Sequence, residues 1–304
     1  MHDEQTILRH SIAATLTIAG LGIGFGVVSG SFSIIFDGAY ALIDAAMSLL
    51  ALLVARRIAL DTRRRRPDRR FQLGFWHFEP MVLALNGILL VTVSVYGFAN
   101  GIGLILSGGR MLAFDWAIAY AAVTVAICAA MFVYERRANR RLGSDFVGLD
   151  ARSWAMSGAI TAALLVAFVV GRALEGSAHA DLAPYVDPAV LALVCLVIAP
   201  IPLGTIRQAV SEILLIAPPE LVARVENAAR AVAQREGFPD FEAYVAKIGR
   251  SHQIELSFLV PAAFPIGDIR TLDAIRDEVG QAIGGEGPDR WLTIIFTGDE
   301  EWAR

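Results

Sequence analysis

The fold is decided by residues 33–55, which read SIIFDGAYALIDAAMSLLALLVA. The only charged residues in this apolar stretch are Asp37 and Asp44. A helix needs about 20 mostly apolar residues to cross the hydrocarbon core of a bilayer. The stretch therefore predicts a membrane-spanning helix with two carboxyl groups inside it.

Other parts of the chain repeat this length and composition. Of the 304 residues, 56% are hydrophobic and only 18% are charged, which is too apolar for a soluble protein of this size. The first apolar stretch has no A-x-A cleavage site, so it is predicted to be retained as a span. The sequence predicts six transmembrane helices, at approximately 9–30, 33–55, 81–106, 112–134, 151–174 and 187–209.

Charge divides the chain into two parts. Residues 1–210 hold 17 Arg and no Lys against 14 acidic residues, whereas residues 211–304 hold 8 Arg and Lys247 against 16 acidic residues. The net charges are +3 and -7, which predicts a transmembrane domain over residues 1–210 and a separate cytoplasmic domain over residues 211–304.

Arginines set the expected orientation. Eight of them lie between Arg56 and Arg70, and four follow span four, namely Arg136, Arg137, Arg140 and Arg141. Because basic loops stay in the cytoplasm, we expect an inner-membrane protein with both termini cytoplasmic. Binding of membrane lipids or of nucleic acid would also suit the first cluster, but orientation and attraction to acidic lipids account for its place beside span two, so no nucleic-acid partner is expected.

After Ser211 the pattern becomes that of a compact mixed domain. Residues 220–236 and 269–283 have helical spacing, and Pro218-Pro219 marks the start of the first helix. Residues 243–248, 253–260 and 291–296 read as strands. The order αββαβ predicts an α+β, ferredoxin-like domain whose small sheet is covered by two helices on one face.

Span two carries a polar stripe. Asp37, Tyr40 and Asp44 stand at i, i+3 and i+7, which places their oxygens on one helical face. A charged residue within a span costs about 2.5 to 3.5 kcal/mol on insertion scales, so it usually marks a transport route or an ion pair. Asp37 could alternatively be solvated near the outer end of the span.

Span five repeats the spacing with Asp150, Ser153 and Ser157. If spans two and five face each other, Tyr40, Asp44, Ser153 and Ser157 form a pocket of four oxygens. The serines could instead bond to their own backbone or pack between helices, and Asp150 could simply flank the span.

Nearly the whole chain resembles the cation diffusion facilitators. The likeness rests on the six spans, the αββαβ domain, the Asp37–Asp44 stretch followed by Ser48-Leu-Leu, and the Asp150 entry to span five. It also rests on two shorter motifs, Gly74-Phe-Trp-His77-Phe-Glu79-Pro80 and Phe296-Thr-Gly-Asp299.

The resemblance implies a transmembrane metal site built from spans two and five. The family's four ligand positions, filled there by His or Asp, fall on Tyr40, Asp44, Ser153 and Ser157, so Asp44 alone keeps an ordinary ligand. Zinc prefers imidazole, thiolate and carboxylate. The oxygens present here favour a harder cation, such as Mn²⁺, Fe²⁺ or Mg²⁺.

The resemblance further implies a homodimeric proton antiporter, and not an enzyme, that exports a divalent cation such as Mn²⁺, Fe²⁺ or Zn²⁺. The ion is its substrate, and no permanently bound cofactor is expected. Asp44 would bind the ion, and Asp37, nearer the outside, would help it leave. The alternative is a non-transporting paralogue that acts as a membrane scaffold or regulator.

The C-terminal domain offers few ligands for the extra metal that members of this family hold there. His252 is its only histidine. His252, Glu255 and Asp299 are therefore the candidates for metal sensing, and dimerisation is expected to depend chiefly on packing.

Overall fold

The computed structural model describes residues 2–62, 75–142, 145–249, 251–265, 267–287 and 289–303. Within them, six candidate spans are long and apolar enough to cross a membrane, which confirms the predicted number. Large apolar side chains such as Val95, Val166 and Leu193 are exposed on these helices, as lipid contact requires. The first five spans lie on α1 (His2–Ser29), α2 (Phe32–Thr62), α3 (Phe78–Leu106), α4 (Phe114–Leu142) and α5 (Asp145–Glu175).

The sixth span differs from the single helix that the sequence predicts. It contains a 3₁₀ turn over Ala180–Tyr185, followed by α6 (Val186–Ile198) and α7 (Ile201–Ile213). The break falls at Ala199-Pro200. Proline has no N–H to donate and its ring clashes with the preceding turn, so the helix is interrupted there.

Helices α1, α4 and α5 pack against one another along their apolar faces. Tyr120 on α4 and Phe168 on α5 are at most 1% exposed and lie in the same cluster as Ile34 on α2. A second cluster joins Ile18 on α1, Cys128 on α4 and Trp154 on α5. The start of α2, where its polar residues begin, thus packs against α4 and α5.

A buried aspartate fixes the start of α2. Asp187, on α6, is 2% exposed. Its carboxylate accepts hydrogen bonds from Ser31 Oγ at 2.6 Å, from the backbone N of Phe32 at 3.0 Å and from Ser33 Oγ. The first N–H groups of a helix have no partner within the helix, and this carboxylate supplies one.

Replacement of Asp187 by Asn is expected to lower stability by about 1 to 3 kcal/mol, because the amide has one accepting oxygen where the carboxylate has two. The side-chain amide nitrogen of the new Asn would face one of the groups that now donate to Asp187, and that group would lose its hydrogen-bond acceptor. Thermal unfolding in detergent checks this result. Asp181→Asn is the matched control, since Asp181 is exposed on the neighbouring 3₁₀ turn. Equal melting temperatures for the two variants would contradict this role of Asp187.

The C-terminal domain confirms the predicted αββαβ order. It consists of α8 (Pro219–Glu236), β1 (Asp240–Ile248), β2 (Ser251–Leu259), α9 (Ile269–Ile283) and β3 (Arg290–Thr297). The sheet order is β1-β2-β3, with β1 antiparallel and β3 parallel to β2. The core lies between the sheet and both helices, where Val225, Val279 and Leu256 are fully buried. A short helix that the sequence analysis missed, α10 (Glu300–Ala303), follows β3.

The chain divides into two compact units, Met1–Leu50 with Leu85–Gly204 and Ala51–Ala84 with Thr205–Arg304. In the second unit, buried Glu212 near the end of α7 accepts hydrogen bonds from Lys247 Nζ at 2.9 Å and from Gly249 N at 3.1 Å. The β1–β2 turn is thereby joined to the last helix of the predicted transmembrane domain. The functional division at residue 210 stays a prediction.

Candidate cation site

Asp37 lies on α2, and its side chain contacts α4. Its Oδ2 accepts a hydrogen bond of 2.7 Å from the hydroxyl of Tyr120, which is 1% exposed. The carboxyl is itself partly buried. Asp37 is therefore held against α4 by a specific hydrogen bond, which no pattern in the sequence predicts.

Glycines allow this close approach. A Cβ on Gly38 would lie 2.8 Å from the backbone N of Ile23, and a Cβ on Gly22 would lie 2.9 Å from the Tyr120 hydroxyl. Distances under 3.0 Å leave no room for a side chain. Small residues let membrane helices pack backbone to backbone, and here they bring α1, α2 and the Asp37–Tyr120 pair together.

Tyr40 packs on another group of neighbours. Its ring lies 5.8 Å from that of Phe36, centroid to centroid, and the two join a cluster with Val93 on α3 and with Leu191 and Cys195 on α6. The phenol also lies within range of the Asp44 charge. Packing thus holds Tyr40 beside Asp44, one turn away on α2.

Asp44 is exposed at the surface of the single chain. Its carboxyl lies close enough to Asp150, at the start of the fifth candidate span, for the two negative charges to repel each other. Within the described residues, no basic side chain forms an ion pair with either group. Two carboxylates that repel each other and have no basic partner among these residues attract a cation or a proton.

Ser153 and Ser157 are both exposed on α5, one turn apart. The backbone carbonyl of Ser157 accepts a hydrogen bond from Thr161 Oγ1 at 3.0 Å.

The structure therefore associates Asp44 with Tyr40 and with Asp150, and it ties Asp37 to Tyr120. In the part of the chain that the structure describes, no group of three His, Cys, Asp or Glu side chains could hold a metal ion.

The candidates in the C-terminal domain do not converge. His252 and Glu255 lie three positions apart on β2, so they point to opposite faces of the sheet. Burial, followed by the charges of Lys247 and Arg224, lowers the pKa of His252. Asp299 uses its Oδ1 to accept a hydrogen bond of 2.9 Å from Glu301 N in the last turn.

Comparison with known proteins gives one family. Residues 8–214 match the cation efflux transmembrane domain, which covers more than half of the chain. A search of curated proteins found no match.

Proposed function

Because the chain belongs to the cation efflux family, the cation diffusion facilitators, we propose that it exports a divalent cation from the cytoplasm in exchange for protons. Metal cation efflux is the activity of this family of multi-pass membrane transporters, which are not enzymes. Proton exchange, the identity of the cation and the direction of the topology are the parts that the proposal adds.

The observation that carries the proposal is the environment of Asp44. It is a carboxylate on a membrane helix, near the charge of Asp150 and beside the phenol of Tyr40. No basic residue of the described chain neutralises it. An isolated charge in a span is costly, so a carboxylate of this kind is stabilised by a bound cation or by a bound proton. A site that alternates between these two states exchanges cations for protons.

Oxygen ligands define the proposed cation. Asp44 and Tyr40 on α2, with Ser153 and Ser157 on α5, offer a carboxylate, a phenol and two hydroxyls. This set suits Mn²⁺, Fe²⁺ or Mg²⁺ better than Zn²⁺, which prefers nitrogen and sulfur as well as carboxylate. Water would complete the coordination shell of such a hard cation.

Asp37 is proposed to receive the ion on its way out. It lies nearly two helical turns from Asp44 toward the start of α2, on the side expected to face outward. A carboxylate has about four acceptor positions, and the Tyr120 bond occupies one of them, so the group keeps capacity for a passing cation. Tyr120 would hold Asp37 in place while the ion moves.

The proposed orientation and assembly follow from the charges of the two domains. The arginines around Arg56 and Arg136 support an inner-membrane location with both termini cytoplasmic, in which they would also contact acidic lipids. Of that first cluster, the arginines from Arg63 onward lie outside the described residues. The acidic C-terminal domain would then concentrate cations near the entrance and join two copies of the chain into a homodimer.

Transport by the full chain in proteoliposomes tests the function. Vesicles with an acidic lumen are supplied externally with Mn²⁺, Fe²⁺, Mg²⁺ or Zn²⁺, and both cation uptake and lumenal pH are followed. We expect uptake of Mn²⁺ or Fe²⁺ together with loss of lumenal protons, and we expect a protonophore to slow it. Protein-free vesicles are the control. Absence of flux for every cation would favour the scaffold alternative instead.

A further inference from the structure

Glu135 is a buried acid that the proposed ion route does not use. It lies on α4 near the end of that span and is 0% exposed. Both carboxyl oxygens are sealed from solvent, and no hydrogen bond of good geometry reaches either of them from a described residue, although the Ser11 hydroxyl and the Trp154 indole lie close by. A lone carboxylate in that situation would be strongly destabilised.

The neighbours of Glu135 explain how it is accommodated. The carboxyl of Asp150 on α5 lies beside it, within reach of a shared proton, and Ser11 and Trp154 flank it. The latter two are bonded to each other, with Trp154 Nε1 donating to Ser11 Oγ at 2.9 Å. Two ionised carboxylates cannot hydrogen-bond to each other, so a direct bond between these two carboxyls forms only when one of them is protonated.

None of the basic residues His10, Arg136 and Arg152, which neighbour this pair on α1, α4 and α5, forms an ion pair with either carboxyl. His10 on α1 bonds through Nδ1 to the Tyr134 hydroxyl at 3.1 Å, and Arg136 lies over the Phe132 ring at 5.6 Å. From α2, Asp44 interacts with Asp150 through space. Of the described residues on α1, α2, α4 and α5, none therefore brings a positive charge to Glu135 by an ion pair.

We propose that Glu135 and Asp150 form a proton-binding site that releases its proton when a divalent cation binds at Asp44. This inference rests on the proposed function and supplies the coupling that it needs. The empty site holds one proton on the pair and a negative charge on Asp44. An arriving cation brings two positive charges close to Asp150, which favours the doubly ionised pair, and the proton leaves to water.

A proton fits this pair better than a second metal ion. Trp154 and Ser11 occupy the space beside Glu135, and within the described chain no third acid, cysteine or histidine lies close enough to form a metal site with the two carboxyls. A divalent cation needs more ligands than two carboxyls supply in a closed space, whereas one proton satisfies both.

Proton counting with the full-length protein tests the inference. Titration calorimetry with Mn²⁺ in buffers of different ionisation enthalpy gives the protons released per ion bound. We expect Glu135→Gln and Asp150→Asn each to release about one proton fewer than the parent, and the double variant to lose no more, since the proton is shared. Asp181→Asn, which alters an exposed carboxyl far along the chain, should release as many as the parent.

Infrared difference spectra between the parent and each single variant, both cation-free and at neutral pH, supply a readout that does not depend on transport. The carbonyl stretch of a protonated carboxyl should be present in the parent and weakened in both single variants. If the parent shows this band but transports no cation, the proposed function is wrong, whereas the shared proton is supported. Unchanged bands and proton counts in folded Glu135→Gln would overturn the inference, as would loss of Mn²⁺ binding in it. Asp150→Asn, at a partly exposed position, gives the same test if Glu135→Gln does not fold.

Discussion

Replacing Asp44 with Asn is expected to reduce cation flux by about 10- to 100-fold or more, since even a change outside the ligand shell causes a loss of that size at metal sites. The amide keeps the shape of the side chain but removes the negative charge that attracts the ion and takes up a proton. Because Asp44 is exposed and accepts no intramolecular ion pair among the described residues, folding should be unaffected. Flux in proteoliposomes and the melting temperature in detergent measure the two effects separately.

Asp37→Asn is the matched comparison, since it makes the same chemical change on the same helix. It should slow export less than Asp44→Asn, because Asp44 still binds the ion, although it weakens the bond from Tyr120. Flux close to that of the parent in Asp44→Asn would disprove the site assignment. A larger loss for Asp37→Asn would reverse the proposed order of the two carboxylates along the route.

Local pattern was enough to predict most of the fold. The helix over residues 269–283 begins and ends where its apolar spacing indicates, and the ends of the three strands differ from the predicted ones by at most three residues. Hydropathy over about 20 residues likewise finds the spans. These signals are carried by neighbouring residues, so they survive without knowledge of the tertiary structure.

Contacts between distant residues were the part that the sequence could not provide. Asp187 is the first residue of the sixth predicted span, yet its carboxylate caps a helix whose first residues lie more than 150 positions earlier. The bond between Asp37 and Tyr120 joins residues 83 positions apart. A periodic pattern shows which face of a helix is polar, but not which partner that face meets.

Glu135 is a case in which a signal was present but outweighed. It precedes Arg136 and Arg137, which suggests a solvated end of the span. The buried residues of α4 nevertheless follow helical spacing that ends on it, as in Tyr120, Thr124, Cys128 and Glu135. Extending the inward stripe of span four by two turns would have predicted a buried acid.

Restoring the family's usual ligands on span five should turn the site toward zinc. Ser153→His with Ser157→Asp places an imidazole and a carboxylate one turn apart on α5, at two positions that are exposed in the single chain. With Asp44 they make three good zinc ligands. Zinc should bind at least about 10-fold more tightly, a conservative figure given that even outer-sphere changes alter metal affinity by 10- to 100-fold.

Titration calorimetry of the double variant beside the parent, with Zn²⁺ and with Mn²⁺, decides this result. The preference should move from Mn²⁺ to Zn²⁺, because zinc exceeds manganese in the Irving–Williams order wherever a nitrogen ligand is offered. Ser153→His alone separates the imidazole from the added charge, and adding Asp44→Asn to the double variant should remove the gain. If zinc affinity is unchanged in the double variant, α2 and α5 do not present these side chains to one ion. The carboxylate of Asp44 would then act without the serines.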